Sequence, residues 1–168
     1  MNGWFTKPSA NFSVPDRSLV ESFMQALAEQ DLEKLQSICS VDLKIELVGG
    51  AESDSFEQGR NFFKNAHMVL PAIGFGSNPH WQLVEYEGEA IVLGYRTLHG
   101  MEGINEIHRI EALDEVIVRV RCYCFCPDTL HVVAEKLGKA AIQRNLSYRS
   151  PALVDIPGLL LHNLWRKS

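Results

Sequence analysis

Two periods of hydrophobic residues run along the chain, a helical one early and a strand-like one later. After Pro15, Leu19, Val20, Phe23, Leu27 and Ala28 recur at helical spacing, and Asp16 stands where an N-cap belongs. Asp31 opens a shorter helix carrying Leu32, Leu35 and Ile38. The period then drops to two. Val41, Leu43, Ile45 and Leu47 alternate with Asp42, Lys44 and Glu46, which predicts a half-buried strand ended by Gly49 and Gly50. A polar loop over 51–56 leads to a third helix, about 58–70, stopped by Pro71.

Beyond Pro79 the strand period takes over. Four runs, 81–86, 90–98, 104–111 and 116–125, are separated by breaks at Gly88, at Gly100 with Gly103, and at Leu113-Asp114. Pro127 halts the last run. Asp128 or Thr129 caps a helix over 130–137, which Gly138 closes. Helices, one strand, a helix and then consecutive antiparallel strands make an α+β order. A curved sheet closing over the N-terminal helices leaves a concavity between the two layers. The expected division is an arm, 1–15, a domain, 16–138, and an extension, 139–168. In that extension Leu160, Leu161, Leu164 and Trp165 fall close to one helical stripe.

Composition narrows the function classes. The 168 residues are 46% hydrophobic and 22% charged with a net charge of −5, which suits one soluble domain and not a phosphate-binding surface. Direct nucleic-acid binding is therefore not expected. Residues 1–14 show neither a basic run nor a continuous apolar stretch, and no segment reaches the roughly 18 apolar residues of a membrane span. A cytoplasmic protein without membrane attachment is the expectation. Cys122, Cys124 and Cys126 alternate along one run and lack the spacing of a zinc ribbon or a redox pair. These three read as small buried hydrophobes, so neither a metal nor a cofactor is expected.

Three segments carry a resemblance to a known family. They are 19–47, Gly59-Arg60 at the head of the third helix, and 116–138, with Cys126-Pro127-Asp128-Thr129-Leu130 its most specific part. In these the chain resembles the SnoaL-like branch of the nuclear transport factor 2-like superfamily. The closest likeness is to the SnoaL-like domain at the C-terminus of some extracytoplasmic-function sigma factors. The resemblance implies a cone-shaped, curved antiparallel sheet wrapped around N-terminal helices, also described as cystatin-like. It further implies a ligand pocket and a homodimer. It covers about 16–138 and leaves the extension without a counterpart.

The last hairpin holds the densest chemistry. With Leu113-Asp114 as the turn, antiparallel pairing sets Glu106 against Arg121, His108 against Arg119, and Ile104 against Tyr123, all on one face. One reading turns this charged ladder to water or to a second subunit. The other, implied by the resemblance, lines the pocket with Arg119, Arg121 and Tyr123 for a small organic, anionic ligand, since guanidinium groups bind oxyanions in pairs of bonds. Trp81 and Tyr95 are further candidates for the pocket wall. The position where the family's enzymes carry a carboxylate base corresponds to Arg121 or Tyr123 here, which favours a binding or regulatory domain. An isomerase, cyclase or hydrolase is the alternative, with Glu106 or Asp42 as base, His108 as acid and Tyr123 as oxyanion donor. The apolar tail is expected to dock on its own domain, a dimer mate or another protein, or to form a lid.

Overall fold

The helical stripe after Pro15 becomes α1, Arg17–Glu29, whose Val20, Phe23, Ala26 and Leu27 are buried. Asp16 occupies the N-cap position without a side-chain hydrogen bond. Gln30 ends the helix in the left-handed region and returns its N–H to the carbonyls of Ala26 and Leu27. Asp31 does cap α2, Leu32–Ile38, accepting the Lys34 N–H at 2.9 Å. The computed structural model describes residues 13–48, 52–53, 55–60, 79–98, 100–124 and 126–142. Residues 56–60 are helical, as expected for the start of the third helix. Its continuation, the first part of the N-terminal arm and the apolar tail with Trp165 lie outside the described residues.

The strands are β1, Cys39–Leu47; β2, Glu52–Ser53; β3, His80–Tyr86; β4, Glu89–Leu98; β5, Met101–Leu113; and β6, Val116–Cys122. They form one sheet in the order β2-β1-β6-β5-β4-β3. β1 runs parallel to β6, and the other neighbours are antiparallel. A last helix, α3, spans Pro127–Lys136. The expected α+β class, a sheet set against N-terminal helices, is the one observed. The polar loop expected over 51–56 contributes β2 instead, and the Ser53 Oγ accepts the Ile45 N–H at 3.2 Å.

Helices cover both faces of the sheet. On the inner face, α1 and α2 pack on Leu43, Ile45, Val92, Ile110, Ile117 and Val120. On the outer face, Leu130, Val133 and Ala134 of α3 pack on Ile91, Leu93, Ile104, Ile107 and Tyr123. Fully burying a side chain such as Phe23 or Leu130 contributes about 1.5–3 kcal/mol, so the two layers fix the helices on the sheet. The chain beyond Gly138 is also tied in. Ile104 donates to Ala140 and accepts from Ile142, each at 2.8 Å.

The last hairpin pairs differently from the sequence expectation. Its turn is Asp114-Glu115, both with positive φ (49° and 64°), the backbone that a tight two-residue hairpin loop requires. Moving the turn by one residue shifts the pairing by two and keeps the faces. An irregularity between Glu111 and Ala112 then leaves Val118 as an extra residue on β6, and that single step exchanges the faces. Arg121 therefore pairs with Arg109, Arg119 with Glu111, and Cys122 with His108. Asn105 is a second extra residue, on β5 opposite Gly94 and Tyr95. β6 also ends at Cys122, three residues earlier than expected. Cys122 is buried, while Cys124 and Cys126 are only half-buried. No described helix is long and apolar enough to cross a membrane.

Candidate functional site

Beneath α1, two rows of the sheet bring polar groups together. One row runs Trp81, Gly94, Glu106 across β3, β4 and β5; the next runs Val92, His108, Cys122 across β4, β5 and β6. Gly94 is what lets the first row close. A Cβ there would stand 2.4 Å from the Glu106 Cγ and 2.8 Å from the Trp81 Cζ3. The Phe23 ring of α1 lies 6.2 Å from the His108 ring, and Trp81 meets that imidazole edge-on at 5.2 Å.

Glu106 links the cluster. Its Oε1 accepts from the Arg96 Nη2 and its Oε2 faces the His108 Nε2, both at 3.3 Å. Arg96, Glu106 and His108 are each no more than 3% exposed. The His108 Nδ1 is also buried and has no hydrogen-bond partner among the described residues. Most buried polar atoms have a partner, because an unsatisfied one costs about 1–3 kcal/mol. Cys122 completes the group, with one donor atom each from Glu106, His108 and Cys122 within 4.8 Å of one another. A hydrogen bond with Cys124, burial and the Glu106 charge hold the Cys122 thiol well above its ordinary range. By itself it is a neutral thiol and no nucleophile.

The outer face carries a different network. Arg121 donates to Glu46 at 2.9 Å and forms an ion pair with Glu111 at 3.0 Å, and Arg119 stands 3.8 Å from Glu111. Arg109 grips Glu89 through two bonds of 2.6 Å. Burial pushes the Tyr123 phenol up, against the lowering effect of Arg109 and Arg121, so it stays protonated.

The expected ladder is thus divided. Glu106, His108 and Trp81 converge under α1, whereas Arg119, Arg121 and Tyr123 lie on the opposite face with Arg109 and Glu111. Tyr95 is also on the outer side, stacked on His80 at 4.9 Å and bonded to Gln82 at 3.0 Å. Asp42 is exposed near the head of β1. The pairing of Glu106 with Tyr123 as base and oxyanion donor is therefore corrected: the extra residue on β6 sends them to different faces. Sequence reasoning left Arg96 and Cys122 out of the site and passed over Arg109 and Glu111. The signal for Arg109 and Glu111 was present, since 106–111 carries charge in both phases of its alternation.

No family model and no curated protein matches the chain. Solved structures do resemble it. A protein described as NTF-2 like and of unknown function, from Burkholderia xenovorans, is 13% identical over 90% of this chain and 93% of its own, with a TM-score of 0.48. An LEH-like epoxide hydrolase from M. tuberculosis is 18% identical over 72% of this chain and 94% of its own, with a TM-score of 0.44. A cystatin-fold protein from Novosphingobium aromaticivorans is 11% identical over 66% of this chain and 98% of its own, at 0.48. At such identities and TM-scores none of them transfers a residue role to this chain.

Proposed function

We propose that the chain binds a small polar organic molecule between α1 and the inner face of the sheet, beside Arg96, Glu106 and His108. The buried His108 Nδ1 without a partner carries this reading. With Nε2 donating to Glu106, Nδ1 is an acceptor, so the molecule it suits presents a hydroxyl or an amide N–H. Trp81 and Phe23, both against the imidazole, supply apolar contact for the rest of such a molecule. Arg119 and Arg121 no longer support an anionic ligand, because they pair with Glu46 and Glu111 on the other face.

A catalytic version of the same site is favoured by one further feature. A carboxylate that orients an imidazole through one nitrogen leaves the other to take a proton. His108 then is the base and Glu106 its positioning residue, the reverse of the order expected from the sequence. A hydrolase or an isomerase uses such a base.

Native mass spectrometry of gently purified protein, followed by denaturing extraction, tests the binding reading. The expected result is an adduct that Arg121→Ala keeps and His108→Ala loses. Protein with no adduct, and with no gain in thermal stability from a broad set of hydroxylated and amide-bearing metabolites, overturns it. Conversion of the adduct on incubation, lost in Glu106→Gln while binding persists, selects the enzyme.

A further inference from the structure

We infer that Glu106, His108 and Cys122 form a binding site for a divalent transition-metal ion of the zinc type. The inference rests on the inner-face cluster being the functional site, and adds to it an ion and a ligand, Cys122, that organic binding does not need.

The geometry comes from the sheet. Glu106 and His108 are two residues apart on β5, so their side chains leave the same face side by side. Cys122 is the cross-strand partner of His108 on β6. Three donors from two paired strands are held without any loop, which is the rigid placement that an ion site requires. All three residues are buried, and their donor atoms lie within 4.8 Å of one another. Bonds of about 2.0–2.3 Å in a tetrahedron set neighbouring ligand atoms roughly 3.3–3.8 Å apart. The 3.3 Å between the Glu106 Oε2 and the His108 Nε2 matches such an edge. A carboxylate oxygen, an imidazole nitrogen and a thiolate are the ligand types zinc takes, and three protein ligands leave a fourth position for water or substrate.

The buried His108 Nδ1, without a hydrogen-bond partner among the described residues, stays outside this ligand set, because the edge to Glu106 is made by Nε2. An ion on Nε2 takes the place of the proton that Nε2 would otherwise donate to Glu106, and that proton moves to Nδ1, so a metal-loaded site offers Nδ1 as a donor where the metal-free site offers an acceptor. The Arg96 Nη2 engages the Glu106 Oε1 and so holds the carboxylate with Oε2 turned to the ion. The Cys122 thiol releases its proton to solvent as the sulfur–metal bond forms, and the thiolate with Glu106 then offsets two of the three positive charges that the ion and Arg96 bring.

The experiment is a Co²⁺ titration of the full chain after dialysis against a chelator. One Co²⁺ per chain is expected, with a thiolate-to-cobalt charge-transfer band in the near ultraviolet and visible bands of four-coordinate strength, all displaced by Zn²⁺. Cys122→Ser should lose the charge-transfer band, whereas Cys124→Ser should keep it. His108→Ala removes a direct ligand and should weaken binding by more than the about 10–100-fold that an outer partner contributes. Wild-type protein that shows no charge-transfer band overturns the site, even if Cys122→Ser fails to fold. So does a band that survives in Cys122→Ser or disappears in Cys124→Ser. Retention of an organic adduct is read on chelator-treated wild-type protein, which holds no metal, so the two readings fail separately.

Discussion

The two faces of the sheet bury the same kinds of residue in contrasting arrangements. On the outer face, Glu111 meets two arginines, Arg121 meets two carboxylates, and Arg109 holds Glu89 through a paired contact. Charges there alternate and neutralise each other. On the inner face, one carboxylate serves a guanidinium and an imidazole at longer range, and the imidazole keeps a buried nitrogen unbonded. Even so, both Glu111 oxygens are buried without a hydrogen bond, so the outer face holds that carboxylate by ion pairing alone. The atom left over on the inner face is instead an imidazole nitrogen with no ion-pair partner of its own among the described residues, and that difference, not the mere presence of charge, locates the site.

Substitutions can break the contrast. Arg96→Met leaves Glu106 buried with only His108 of the two partners described, and should cost about 3–5 kcal/mol in urea unfolding. The double change Arg96→Met with Glu106→Leu should recover most of that loss, because two apolar groups replace the pair. A single-variant loss under about 1 kcal/mol, the size expected of an exposed pair, would show that the inner cluster does not depend on this bond. Glu111→Gln on the outer face removes a charge but keeps a hydrogen-bonding group of the same shape. The expected loss is about 1.5–3 kcal/mol by the same measurement, with adduct retention unchanged. Lys136→Ala gives the smallest effect. Lys136 pairs with Glu87 at the surface, each about half exposed, where water screens the pair, so the unfolding midpoint should barely move. A measurable shift would mean that surface pairs matter here as much as buried ones.

Much of the fold was legible in the residues. The stripe from Leu19 to Leu27 became α1, Asp31 capped α2, and Gly88 with Glu87 formed the turn between β3 and β4. These features depend on neighbours a few positions away, so period and turn chemistry were sufficient. The candidate site was half legible. Glu106, His108 and Trp81 were singled out, but they were joined to arginines and a tyrosine that belong to the other face. Tyr95 was put forward for the pocket wall, whereas its neighbour Arg96 is the residue that meets Glu106. Glycine 94 gave no local sign that its missing side chain makes room for that meeting.

What the sequence alone determined was the type and order of the elements, because hydrophobic period and capping act within one or two turns of chain. Which polar residues share a face was decided only by tertiary structure. Each extra residue in a strand exchanges its faces from that point on, and nothing local marks Asn105 or Val118 as extra. They are set by the fit of β5 and β6 between two layers of helices, where the inner face must meet Phe23 and the outer face Leu130.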